Sequence, residues 1–157
     1  MKIRRANLED AGILSILNAD VQKLHADALP HLFKQPESGA FAIQFMRELL
    51  PDPDNYFFIG SLDGEDIGYI FARLIDRPEN PYTYAWHSVY IDQISVKPAY
   101  QHKGCGKRLI EEVVRLAKEV EADWIGLDTW AFNEGAIAFF EKQGFSPFNQ
   151  RMWLTRP

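Results

Sequence analysis

The sequence predicts a single α/β domain over residues 1–157, with a mixed, largely antiparallel sheet flanked by helices. Three observations carry that expectation. Val89 to Val96 is rich in β-branched and aromatic residues and stops short of Pro98, which has no N–H for a ladder. The period then becomes helical, with Leu109, Val113, Leu116 and Val120 on one stripe, and Trp124 to Trp130 reads as a further strand, so that strand, helix and strand form a parallel crossover. Upstream, Asp63-Gly64 is a hairpin signal between two apolar runs, which makes those strands antiparallel.

Taken in order, Lys2 to Arg5 is a short strand, and Asn7 caps a helix that begins with Glu9 and Asp10 and continues through Ile13, Ile16 and Leu17 towards Val21 and Leu24. Pro30 and Pro36 interrupt regular structure. His25 and His31 nearby read as two partly exposed histidines at a helix end rather than metal ligands or acceptor-binding groups, because no further Cys or His completes a ligand set. A second helix is expected from about Ser38 to Leu50, with Phe41, Phe45 and Leu49 at four-residue spacing. Tyr56 to Leu62 and Asp66 to Ile75 are the hairpin strands, and Arg77 to Tyr84 is a proline-bearing surface loop. After Trp130, Asn133 starts a short helix, Gly144 ends it and Phe145 begins another strand.

Composition bounds the function. A chain of 157 residues with 46% hydrophobic and 13% aromatic content folds without metal or disulfide support, and its one cysteine cannot form an internal disulfide. The cytoplasm is the default location, and no run of about 18 apolar residues is present to span a membrane. A net charge of −5 argues against nucleic acid as the main partner and favours a cationic one.

The most informative letters are Q-H-K-G-C-G-K, between the central strand and the helix that starts near Cys105. Gly104 and Gly106 free the backbone for close approach, the helix start has unpaired amides, and Lys103, Lys107 and Arg108 add positive charge. A pyrophosphate suits such a place; a bare glycine turn with a solvated basic face is the simpler alternative. A Walker loop is excluded, since Gln101 and Arg108 stand where Gly and Ser or Thr are needed, and Leu109 replaces the third glycine of a dinucleotide fingerprint.

The loop resembles the acyl-CoA-binding motif of the GNAT superfamily of N-acetyltransferases, Q/R-x-x-G-x-G/A, met by Gln101, Gly104 and Gly106. N-E-G-A-I-A-F-F-E-K-Q-G-F from Asn133 resembles the same family's second signature, in the family's order and separation. The resemblance implies a GNAT-like fold using acetyl-CoA as co-substrate, with no metal. It places Gln101, His102, Lys103, Gly104, Cys105, Gly106 and Lys107 at the cofactor phosphates. The main chain of Ile94 and Val96 would hold the pantetheine arm, with Ser95 between them and Asn133 and Phe140 close by. The acceptor would be an amine on a small molecule, a protein N-terminus or a lysine.

Amine acetylation needs a neutral nucleophile, and a lysine-like amine with a pKa near 10.4 must lose a proton first. Asp92, on the central strand where several relatives carry a carboxylate, is the candidate base, acting through a water; an ordinary carboxylate at a cleft mouth is the alternative. The tyrosine that many relatives place before the E-K pair is Phe140 here, which has no proton to give a thiolate. Cys105 beside the helix start invites a covalent route, but no partner base is near it in sequence and direct transfer is preferred. A CoA-sensing module without turnover and a nucleotide-binding enzyme are the competing readings. The apolar tail Phe145 to Leu154 suits a homodimer contact as well as the monomer core.

Overall fold

The computed structural model describes residues 1–36 and 39–154. Nine helices and strands are placed among them: β1 (Lys2–Arg5), α1 (Ala11–Ala28), α2 (Ala40–Leu49), β2 (Asn55–Leu62), β3 (Glu65–Arg77), β4 (Trp86–Val96), α3 (Cys105–Glu119), β5 (Trp124–Leu127) and α4 (Glu134–Lys142). The strands lie in one sheet in chain order, β1 to β5, with three antiparallel pairs and a single parallel pair between β4 and β5. The mixed sheet expected from hairpin and crossover is therefore present.

Each face of the sheet builds its own core. On one face, Ile70, Ala72, Val89 and Ile91 meet Leu109, Val113 and Leu116 of α3. Leu109 and Val113 are fully buried, and each such side chain contributes roughly 1.5–3 kcal/mol by leaving water. On the other face, Phe57, Ile59, Tyr69 and Phe71 pack against Ala11, Leu14 and Leu17 of α1 and Met46 of α2. Phe57 and Phe71 stack with their centroids 4.0 Å apart and their planes 5° from parallel.

The position of a residue on β4 depends on one irregularity. Ala72 of β3 pairs with Ile91 and Phe71 pairs with Gln93, so Asp92 is the extra residue of a β-bulge. Alternation skips a step there. Val89, Ile91, Ile94 and Val96 all serve the α3 face, while Gln93 faces α1. Pairing with β5 runs only from Ser88–Trp124 to Ile91–Leu127, whereas pairing with β3 continues to Val96. From Asp92 to Val96 the β5-side edge of β4 is consequently open.

Several boundaries depart from expectation. Asn7 does cap the chain through the Glu9 amide at 2.8 Å, but it caps a 3-10 turn, Leu8–Asp10, that precedes α1. The second helix begins at Ala40; Ser38, where it was expected to start, lies outside the described residues. The strand expected over Trp124 to Trp130 ends at Leu127, because the bulge carries β4 out of its ladder. No strand begins at Phe145. Its amide instead bonds back to Phe140 O at 3.1 Å and closes the end of α4, and Pro147 supplies no donor two residues on. Phe148, Met152 and Leu154 of this tail are almost wholly exposed rather than in the monomer core.

Candidate active site

The loop before α3 is shaped by its backbone. His102 (φ 58°) and Gly104 (φ 80°) are both left-handed, a turn that gathers successive amides into a concavity suited to an anion. Gly104 is the N-cap of α3, and neither a side-chain cap nor an acidic residue in the first turn satisfies the helix start. By contrast, Asn133 caps α4 by accepting from the Ala136 amide at 3.1 Å, with Glu134 in that helix's first turn. Gln101 folds back and donates from Nε2 to the Val96 carbonyl at 2.9 Å, tying the loop to the end of β4. Lys103 Nζ lies 5.6 Å from the Tyr100 ring centroid, and Lys107 Nζ lies 3.8 Å from Glu111. The residues present fit a phosphate-bearing ligand: free amides, a positive helix end and cations of the right sign.

Gly106 has a second reason to lack a side chain. A Cβ there would sit 3.1 Å from the tip of the Phe139 ring, so the glycine lets α4 close on the first turn of α3. Phe139 in turn packs on Phe140 at 5.2 Å, and Phe140, only 7% exposed, packs on Phe145 at 5.6 Å. Phe140 is thus part of the α3-side core. Cys105 is 5% exposed, which denies a nucleophilic role the access it requires.

On the opposite face the polar groups form a strip across β3, β4 and β5. Tyr69, fully buried, donates to Gln93 Oε1 at 2.6 Å, and Asn18 of α1 donates to the Tyr69 hydroxyl at 2.8 Å and to Gln93 at 3.3 Å. Burial pushes the Tyr69 phenol far above its ordinary value and keeps it neutral. Beside this trio, Arg73 holds Asp92 through two nitrogens, one of them at 2.9 Å. Next comes Tyr90, pushed up to about 12 by burial first and then by the carboxylates of Asp128 and Asp92. Arg151 approaches Asp128 at 3.7 Å. Asp92 and the loop of residues 101–107 therefore lie at the open half of β4 and at its exit, while Ser95 is buried and Ile94 and Val96 turn their side chains to the α3 core.

Among the described residues no cluster of three or more His, Cys, Asp or Glu is placed to hold a metal, and no helix is long and apolar enough to cross a membrane. His25 rests against Phe33 at 5.1 Å and Phe132 at 5.9 Å, and burial lowers its pKa. His31 lies 6.4 Å from Trp153. Sequence reading passed over Asn18, Tyr69, Arg73, Gln93, Tyr90 and Asp128. Their meeting depends on register between strands, which single-strand patterns do not record.

An open edge on the central strand thus precedes an uncapped left-handed turn and a helix start. The model of the Acetyltransferase (GNAT) family matches residues 19–145, and the chain belongs to that family. It is 29% identical over 151 residues to the N-alpha-acetyltransferase RimI of Mycobacterium tuberculosis, covering 96% of this chain and 85% of that one. It spans 58% of the length of a further N-acetyltransferase relative, from Lactobacillus delbrueckii subsp. lactis. The fold matches that of a tetramutant of the BH1408 protein from Bacillus halodurans with a TM-score of 0.92, at 24% identity, over 99% of this chain and all of that one. It also matches an aminoglycoside N-acetyltransferase, AAC(6')-Iy, in complex with CoA, with a TM-score of 0.76 at 20% identity over 99% and 93% of the two chains.

Proposed function

We propose that this domain acetylates a primary amine with acetyl-CoA by direct attack. The observation that carries the reading is succession: the open edge at residues 92–96 is followed, after one 3-10 turn at Pro98–Tyr100, by the uncapped amides of residues 102–107. An extended pantetheine arm, with its own amides, is what such an edge accepts, and a pyrophosphate is what the helix start accepts. The CoA complex known for a protein of this fold agrees with the reading.

Acetyl-CoA supplies an acyl thioester, whose C–S bond breaks as the amine nitrogen forms the new C–N bond. The residues of this chain do the rest. Asp92, oriented by Arg73, accepts the amine's proton through a water. The Ile94 and Val96 main chain positions the carbonyl and offers fixed dipoles to its oxygen. With Phe140 in place of a tyrosine, the departing sulfur takes its proton from solvent; a thiol pKa near 8.5 makes this a modest demand.

A thiol-release assay with acetyl-CoA across small amines, aminoglycosides and peptide N-termini tests the reading, with release by at least one class expected. Phe140 also favours a second reading, a CoA-binding module without turnover. Tight CoA binding with no release by any amine would select it.

A further inference from the structure

Beyond the polar strip lies an aromatic platform that the transfer chemistry leaves unused. Trp130, just after β5, is its centre: Phe33 meets it edge-on at 5.3 Å, Phe132 stacks at 6.2 Å and Trp153 lies at 6.0 Å. Three separate stretches of chain supply these rings. The loop bearing Phe33 is fastened to α1, by Gln22 donating to the Lys34 carbonyl at 2.6 Å and Gln35 donating to Asp27 at 3.0 Å. The platform is open to solvent, with Phe132 38% and Trp153 60% exposed.

Its place relative to the transfer point follows from α1. Asn18 touches Gln93 beside Asp92, and His25, which touches Phe33 and Phe132, is seven residues further along the helix, about 10 Å at 1.5 Å per residue. The carboxylate of Asp128 is two residues before Trp130 and exposed. Of the basic groups nearby, Arg151 reaches Asp128 only at 3.7 Å and is itself 90% exposed, Lys34 Nζ lies over the Phe41 ring at 5.9 Å, and His31 lies 6.4 Å from Trp153. Burial keeps His25 neutral, so it does not repel a cation.

Aromatic faces beside a carboxylate bind an ammonium together with the methylenes attached to it. We propose that the acceptor is a flexible aliphatic di- or polyamine, its reacting nitrogen at Asp92 and a distal ammonium on the Trp130 platform beside Asp128. The inference rests on the amine-acetylating reading and names the class of amine. A distal anchor orients the reacting end, and that effect shows in kcat/KM.

The test compares octamethylenediamine with octylamine in the thiol-release assay. In the native protein the diamine is expected to exceed the monoamine in kcat/KM by about tenfold or more. Trp130→Leu and Asp128→Asn should each bring the ratio to within about threefold, while Trp130→Phe, which keeps a ring, should preserve it. CoA affinity by calorimetry checks that each variant is folded. A native ratio near one, a ratio untouched by both Trp130→Leu and Asp128→Asn, or clear preference for a peptide N-terminus overturns the proposal. Should no amine be acetylated, calorimetry of octamethylenediamine with the CoA-saturated protein decides: heat that is lost in Trp130→Leu retains the cation site while ending the acetylation reading, and no heat ends both.

Discussion

Arg73 on β3 grips the Asp92 carboxylate on β4 although the two are not register partners; Arg73 pairs with Tyr90, and Asp92 pairs with no residue of β3. The bulge brings them together. Exposed ion pairs contribute at most about 1 kcal/mol to stability, so the pair matters chiefly for where it holds the carboxylate. Asp92→Asn is expected to lower kcat by about a hundredfold or more with CoA affinity intact. Arg73→Met, which frees the carboxylate without removing it, should cause a smaller loss. Single-turnover rates for both variants check this, and full activity in Asp92→Asn would remove it as the base.

Gly104→Val should weaken CoA binding at least tenfold while the domain stays folded. No atom within 4 Å obstructs a new Cβ, so the effect comes from φ 80°, which a β-branched residue resists by about 1–3 kcal/mol. Calorimetry with CoA, alongside a thermal melt, separates a distorted loop from an unfolded one. Unchanged affinity would place the phosphates elsewhere.

Gly106→Ala acts by another route. Its Cβ would press the Phe139 ring at 3.1 Å, and overpacking of this sort destabilises by about 1–3 kcal/mol. Phe139→Leu, harmful alone, should recover part of that loss when combined with Gly106→Ala. Additive losses in the double-mutant cycle would show that the two positions do not meet.

Phe140→Tyr tests the missing proton donor. A hydroxyl on this buried ring, between Phe139 and Phe145, has no partner in the core, and an unsatisfied buried hydroxyl is destabilising by about 1–3 kcal/mol. The melting temperature should fall, and kcat should rise by less than tenfold. A hundredfold gain would mean that the new hydroxyl reaches the sulfur.

Acid stability should depend on Asp10. Its hydrogen bonds from Arg4, both at 2.7 Å, and from the Asn7 amide at 2.8 Å hold its pKa below the usual 3.8. A lowered carboxylate pKa stabilises the fold fully above the unfolded value, and that contribution disappears as pH falls through the folded one. Melting temperature should therefore drop below about pH 4, and Asp10→Asn should lower it at neutral pH and flatten that drop.

How much was legible in the letters depended on the range of the interaction. The strand, loop and helix from Val89 to Val120 were readable, because period, glycines and charge are local signals. Phase was not read: Val89, Ile91, Ile94 and Val96 slip by one position between 91 and 94, a bulge that the strand reading passed over. Arg73 with Asp92, and Asn18 with Tyr69 and Gln93, were not readable, since each joins elements whose register is set by packing rather than by neighbouring letters. The failed strand at Phe145 shows the reverse error. An aromatic start looked like a strand, but the end of α4 claimed that amide first.

The extra residue in β4 sets the phase of the strand as firmly as any side chain does. Were Asp92 paired in the ladder instead of bulged out of it, the pleat would run unbroken and every position beyond would exchange faces. Gln93 and Ser95 would turn towards Leu109 and Val113, and Ile94 and Val96 towards Asn18 and Tyr69. The bulge thus keeps two apolar contacts in one core and an amide and a hydroxyl out of it, and deleting residue 92 would leave Ile94 and Val96 where they are. Deletion there would remove the carboxylate and leave both faces of the sheet in phase.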